Sequence, residues 1–117
     1  MDKAYISSNE VRLVGRVSAA AEERTLPSGD VLVTFRISVP RETHRRSPGA
    51  RQGRTPSVDA IDIACFTAAT RRRALRFKDG ERVEVAGALR RRFFRTARGT
   101  ESRYDVEATG LRKAPAQ

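Results

Sequence analysis

The sequence predicts one all-β domain of five strands, with a single short helix inserted between the third and the fourth. Three observations predict it. Apolar and polar residues alternate with period 2 in five separate stretches, the pattern of half-buried strands. Between the third and fourth of these, one stretch carries its apolar residues at helical spacing instead. Turns rich in Pro and Gly punctuate the order. At 117 residues the chain is long enough for one small domain with one core.

Residues 9–18 (NEVRLVGRVS) alternate Val11, Leu13, Gly15 and Val17 against Arg12, Val14 and Arg16; Gly15 marks a bend or a close backbone approach. Residues 22–25 continue this strand in exposed form, and 26–30 (LPSGD) form a turn with Pro27 and Gly29 where such turns use them. Residues 31–39 alternate cleanly. Val31, Val33, Phe35, Ile37 and Val39 point inward; Leu32, Thr34, Arg36 and Ser38 point outward. Residues 40–57 lack periodicity and hold three prolines, two glycines and five arginines against one glutamate, which predicts a mobile basic loop. A structureless loop this long in a small domain is functional or disordered. Residues 58–66 (VDAIDIACF) turn Ile61, Ile63 and Cys65 inward, and Ala60, Asp62, Ala64 and Phe66 outward. Residues 67–77 (TAATRRRALRF) fit a helix capped by Thr67 or Thr70, with Ala74, Leu75 and Phe77 as its apolar stripe and Arg71, Arg72 and Arg73 as its solvated side.

The fourth and fifth strands belong to one long hairpin, residues 81–111, with a polar tip at Arg98, Gly99 and Thr100. Its first arm shows Val83, Val85, Gly87 and Leu89 on one face and Ala86, Ala88, Arg90, Arg92 and Phe94 on the other. Past Leu89 the apolar face runs out, yet the strand continues as Arg90-Arg91-Arg92-Phe93-Phe94-Arg95. Two readings of that run stand. In one, Phe93 packs inward and Phe94 caps the core edge among solvated charges. In the other, the rings stack against a flat π system while the arginines take an adjoining phosphate.

Bulk charge favours the second. Lys plus Arg total 24 against 14 Asp plus Glu, a net charge of +10 and a pI near 11.3, which calls for a polyanionic partner. No apolar run reaches the roughly 18 residues that cross a bilayer, and no secretory leader follows Met1, so no membrane partner and a cytoplasmic location are expected. The order strand, strand, strand, helix, strand, strand is that of an OB-fold barrel, here a single domain over residues 1–113 with a short tail at 114–117. Closure removes the exposed edges that five amphipathic strands would otherwise carry.

Several segments resemble one family. Asn9-Glu10-Val11-Arg12-Leu13-Val14-Gly15 resembles the opening strand of bacterial single-stranded DNA-binding proteins. The Thr25–Gly29 turn and the Phe35–Val39 strand are similar to the family's next segments, and residues 77–89 look like its K-G-x-x-V-x-hydrophobic-x-G-x-L stretch. Tyr104-Asp105-Val106-Glu107-Ala108 matches the last strand, so the likeness spans residues 9–113. It implies sequence-independent binding of single-stranded DNA in replication, recombination or repair, by a nucleoid-associated homodimer or homotetramer. It places base-stacking aromatics at Phe94 and Phe66, with Phe93 beside them. Phosphate contacts are expected from Arg90, Arg92 and Arg95, from Arg36 and Arg16 on outward strand faces, and from Arg45, Arg46, Arg51 and Arg54 in the loop.

The chain departs from that pattern in two ways. Ala60, and Thr43 or His44, stand where relatives carry stacking tryptophans; Asp62 adds a negative charge to the same face, and Trp is absent. At about 1–3 kcal/mol per stacked base, the loss predicts a weaker, more electrostatic binder. The chain also ends Arg112-Lys113-Ala114-Pro115-Ala116-Gln117 without the acidic tip that recruits repair enzymes, which predicts an auxiliary member or a shortened chain.

No catalytic set is expected, and no cofactor or metal. His44 is the one histidine and has no positioned acid; Cys65 alternates into the core. One Cys and one His cannot complete a zinc site. The competing readings are a primosomal replication protein-like module, an RNA-binding OB protein, and a basic protein-interaction module.

Overall fold

The computed structural model describes residues 6–42 and 57–115. The strands are β1 (Val11–Thr25), β2 (Val31–Pro40), β3 (Val58–Cys65), β4 (Arg82–Thr96) and β5 (Gly99–Lys113), with helix α1 (Ala68–Arg76) between β3 and β4. They close into a barrel in the order β1-β2-β3-β5-β4, the expected OB arrangement. Not every pair is antiparallel, however. β3 meets β5 in parallel, at Ile63↔Val106 and Ala64↔Glu107. A closed ring with an odd number of strands cannot alternate direction all the way round, so one parallel seam is a geometric necessity.

β1 serves two neighbours. Its first half, from Val11↔Gly87 to Arg16↔Arg82, pairs with β4, and its second half pairs with β2. The change of partner falls at Arg16, which is registered with both, and irregularities in the β2 pairing follow between Val17 and Glu22. Gly15 makes the close approach its sequence position implies, since a Cβ there would meet the Ser38 carbonyl oxygen at 2.4 Å. In the β4–β5 hairpin, Thr109 is the unpaired residue where Ala86↔Gly110 steps to Gly87↔Ala108. At this bulge a Cβ on Gly87 would lie 2.1 Å from the Glu107 carbonyl oxygen.

The core follows the period-2 pattern: Val33, Phe35 and Ile37 from β2, Ile63 and Cys65 from β3, and Val83 and Val85 from β4. Val106, Ala108 and Leu111 of β5 join them from the other side of the seam. Helix α1 closes one end, with Phe77 packed edge-on against Phe35 at 5.7 Å between ring centroids. The Thr67 hydroxyl caps it by accepting the Thr70 N–H at 3.1 Å. The buried stripe is Thr70, Ala74 and Phe77. Leu75 lies one residue off that stripe, about 100° round the helix, and stays 52% exposed. The helix arginines are also more than a solvated side. Arg71 donates to the carbonyls of Val31 and Phe66, and Arg73 to that of Leu111, clasping α1 to the barrel rim.

Leu32 and Ala64, expected outward, are both buried. β2 is covered at its start, where the helix packs and Arg71 reaches the Val31 carbonyl. Ala64 is a short side chain between Thr34 and Glu107 on the neighbouring strands, and longer neighbours cover it. Among the described residues no helix is long and apolar enough to cross a membrane.

Candidate nucleic-acid interface

The hairpin outgrows the barrel. From the Arg90↔Asp105 pair to the Thr96↔Gly99 pair it continues as a two-stranded arm of seven registered pairs, about 20 Å at some 3.3 Å per residue. Its turn is Ala97-Arg98, one residue earlier than the tip expected from sequence, and Gly99 follows at φ +117°, a conformation that favours glycine. The arm is anchored where it leaves the barrel. The Asn9 side chain donates to the Leu89 carbonyl at 2.8 Å and accepts the Leu89 N–H at 2.9 Å, imitating a strand neighbour.

Registered neighbours share a face, so the turn fixes which β5 residue stands beside each β4 residue. Arg90 pairs with Asp105, Arg92 with Arg103, and Phe94 with Glu101. This face continues across the seam to Ala64, Asp62 and Phe66 and then to Thr34 and Arg36 of β2. A groove runs over it, bounded by Glu22 and Arg24 on the β1 side and by Arg103 and Asp105 on the arm side.

Five of the expected residues, Phe66, Arg92, Phe94, Arg90 and Arg36, thus share one face. Arg92 lies over the Phe66 ring at 5.1 Å, and Phe94 follows two residues on, with Arg103 over its ring at 5.4 Å. Each of the two rings thus has a guanidinium against it on one face, the residue types on which flat bases stack and phosphates are held. Phe94 is 37% exposed and does not cap the core. Arg90 and Arg36 flank the row on the same side.

These arginines are not bare cations. Arg36 bonds Asp62 at 2.8 Å, Arg90 bonds Glu107 at 3.0 Å, and Arg92 bonds Asp105 at 2.9 Å and Glu107 at 3.4 Å. Asp105 is only 9% exposed on this outward face, covered where Arg92 meets it. Partial burial works against the Arg92 charge, but the Asp105 and Glu107 carboxylates outweigh it and raise its pKa. Arg36, Arg90, Arg92 and Arg103 face Asp62, Glu101, Asp105 and Glu107, so the groove face is close to neutral.

The remaining candidates lie elsewhere. Phe93 and Arg95 occupy the opposite face of the arm; Phe93 is 63% exposed and does not pack inward. Arg16 sits where β1 changes partner, between Arg82 of β4 and Ser38 of β2; it donates to the Gly80 carbonyl at 3.0 Å and does not line the groove. Arg45, Arg46, Arg51 and Arg54, like Thr43 and His44, lie outside the described residues. Arg103 was not legible as part of the row. Its place follows from the Ala97-Arg98 turn, and a tip set one residue later pairs Arg92 with a different neighbour.

Fold and site together define the class: an OB-fold barrel with aromatic rings and guanidinium groups gathered on one outward face beside a groove. The profile of the single-strand binding protein family matches residues 8–112. The chain belongs to that family. Its fold is similar to that of the Plasmodium falciparum SSB in a complex with ssDNA, at 21% identity and a TM-score of 0.77, covering 98% of this chain and 100% of that one. Among the described residues, no cluster of three or more His, Cys, Asp or Glu side chains could hold a metal ion.

Proposed function

We propose that this protein binds single-stranded DNA without sequence preference, in replication, recombination or repair, as a homodimer or homotetramer. The observation that carries the reading is the row Phe66, Arg92, Phe94 and Arg103 along one open face. Bases stack on the rings, and the guanidinium groups take phosphates or add their own planes to the stack. Family membership supports the choice of a single strand over a duplex. A neutral groove face leaves stacking as the main attraction there, while Arg90, Arg92 and Arg36 meet phosphates by sharing or leaving their carboxylates. The five arginines of residues 40–57 add to the chain's positive charge.

The test is fluorescence anisotropy with a labelled oligo-dT of about 30 nucleotides, enough for several OB site sizes, beside duplex DNA and RNA of equal length. Preference for the DNA strand that survives moderate salt is expected. Phe94→Ala should weaken it by about 1–3 kcal/mol, the worth of one stacked base. Equal binding to all three polymers, lost together as salt rises, would reduce the protein to a basic surface. An unchanged affinity in folded Phe94→Ala would remove Phe94 from the site.

A further inference from the structure

We propose that the face of the arm turned away from the groove, formed by Arg91, Phe93, Arg95 and Tyr104, is a second contact surface for the same single strand, so that DNA engages both sides of the hairpin. This rests on the function proposed above and extends it to residues that the groove does not use. The register that sets Phe94 and Arg92 on the groove side sets Arg91 beside Tyr104 and Phe93 beside Ser102 on the other.

Three features point to a nucleic-acid strand there. Phe93 is 63% and Tyr104 57% exposed, two large rings left in water on an arm with no described element covering them. Arg91 lies between them, 4.9 Å from the Phe93 centroid and 5.5 Å from that of Tyr104, which holds all three planes on one surface. The charge pattern is the third and most telling. Among the described residues, Arg91 and Arg95 meet no carboxylate; the Arg91 side chain has only the Ser102 hydroxyl as hydrogen-bond partner, at 3.3 and 3.4 Å. On the groove side Arg36, Arg90 and Arg92 are each bonded to an acid. A phosphate arriving beside Arg91 or Arg95 displaces water and not a competing carboxylate, so its attraction is undiminished.

The same pattern disfavours a second copy of the chain as occupant. Across a two-fold axis this face meets itself, bringing arginines against arginines with no acid on either side to pair them. A polyanion carrying flat bases satisfies both the rings and the charges.

The experiment uses the full chain with labelled oligo-dT of about 10 and about 35 nucleotides, lengths that fill one and several OB-type sites. In Phe93→Ser/Tyr104→Ser, affinity for the short oligomer should stay within about twofold, while the long one should bind at least about tenfold more weakly, one extra stacked base or more. In Arg91→Gln/Arg95→Gln, the slope of log affinity against log salt for the long oligomer should fall by about 1.4, two single-strand phosphate contacts. Folded variants that bind both lengths as the parent does would overturn the second surface. Equal losses on both lengths would place the rings in the one shared site and overturn it as well. A change of sedimenting mass in the variants without DNA would make the face an interface between copies, again overturning it. If the parent protein bound neither oligomer, the groove reading itself would have failed, a result distinct from all of these.

Discussion

Glu107→Gln should strengthen single-strand binding. The Glu107 carboxylate accepts from Arg90 at 3.0 Å and from Arg92 at 3.4 Å, so it is the one acid that engages both groove arginines of β4. Glutamine keeps the shape and one carbonyl oxygen for Arg90, and removes the charge. A phosphate held on the far side of the same guanidinium would lie about 7 Å from that carboxylate, where two unit charges repel by about 0.6 kcal/mol in water. Removing the repulsion gives about a threefold gain at low salt, of which roughly half the energy survives at 0.1 M, where the Debye length is near 10 Å. If Arg90 then takes up a full phosphate contact, the salt slope steepens by about 0.7. The assay is an anisotropy titration with oligo-dT at several salt concentrations, with circular dichroism to confirm folding. Weaker or unchanged binding with an unchanged slope would mean that Arg90 and Arg92 do not face phosphate, and that their ion pairs serve only the sheet.

Three further outcomes follow from the barrel itself. Gly87→Ala should destabilise the protein by at least the 1–3 kcal/mol typical of overpacking (about that range), because the new methyl meets the Glu107 backbone and not a movable side chain; a shift of the denaturant midpoint checks it, and an unshifted midpoint would mean that the bulge relaxes freely. Stability should fall in acid. Hydrogen bonds from Arg12 and Arg112 hold the Glu84 carboxyl below its usual value of 4.5, and the Lys78 N–H, with Lys113, does the same for Glu81. A depressed folded pKa contributes stability above the ordinary carboxylate range, and that contribution is lost as pH falls through the lowered values. Thermal melts from pH 7 to about 3 should therefore decline below about 4.5, and Glu84→Gln should flatten the decline. Burial pushes the Cys65 thiol up to about 12, with only partial relief from its hydrogen bond with Thr70. A thiol reagent should leave the native protein unlabelled at neutral pH and label it fully in denaturant; rapid native labelling would show that the barrel opens at β3.

The strands were legible because half-buried strands write their faces in period 2. Val33, Phe35, Ile37, Ile63 and Val85 alternate in sequence and sit together in the core. Gly15 announced its close approach for a similar reason, since little else fits beside a carbonyl. What the sequence could not show depends on which strands end up adjacent. Leu32 and Ala64 occupy outward positions and are buried by a helix and by longer neighbours that only the closed barrel supplies. Phe66 and Phe94 could be named as candidates one by one, but their junction through Arg92 needs β3, β5 and β4 side by side. Arg103 and Tyr104 were hidden by the place of the turn. The turn at Ala97-Arg98 decides which partner each β4 side chain has, and with it which ring each guanidinium covers.

The parallel seam between β3 and β5 is registered at only two positions, Ile63↔Val106 and Ala64↔Glu107, whereas the hairpin beside it is registered along its whole length. The β1–β2–β3 meander and the β4–β5 hairpin each assemble from neighbours close in sequence; joining them, by β1 on β4 and by β3 on β5, is the long-range step in forming the barrel, and the slow one, and the more sparsely registered of the two joints is the seam. It is also where the barrel has least to hold it shut. A strand lying on Phe66 and Phe94 spans that joint from one half to the other, so bound DNA would work as a suture. Backbone amides of β3 and β5 at the seam should then exchange with solvent more slowly in the complex than in the free protein, well beyond the residues that the DNA touches.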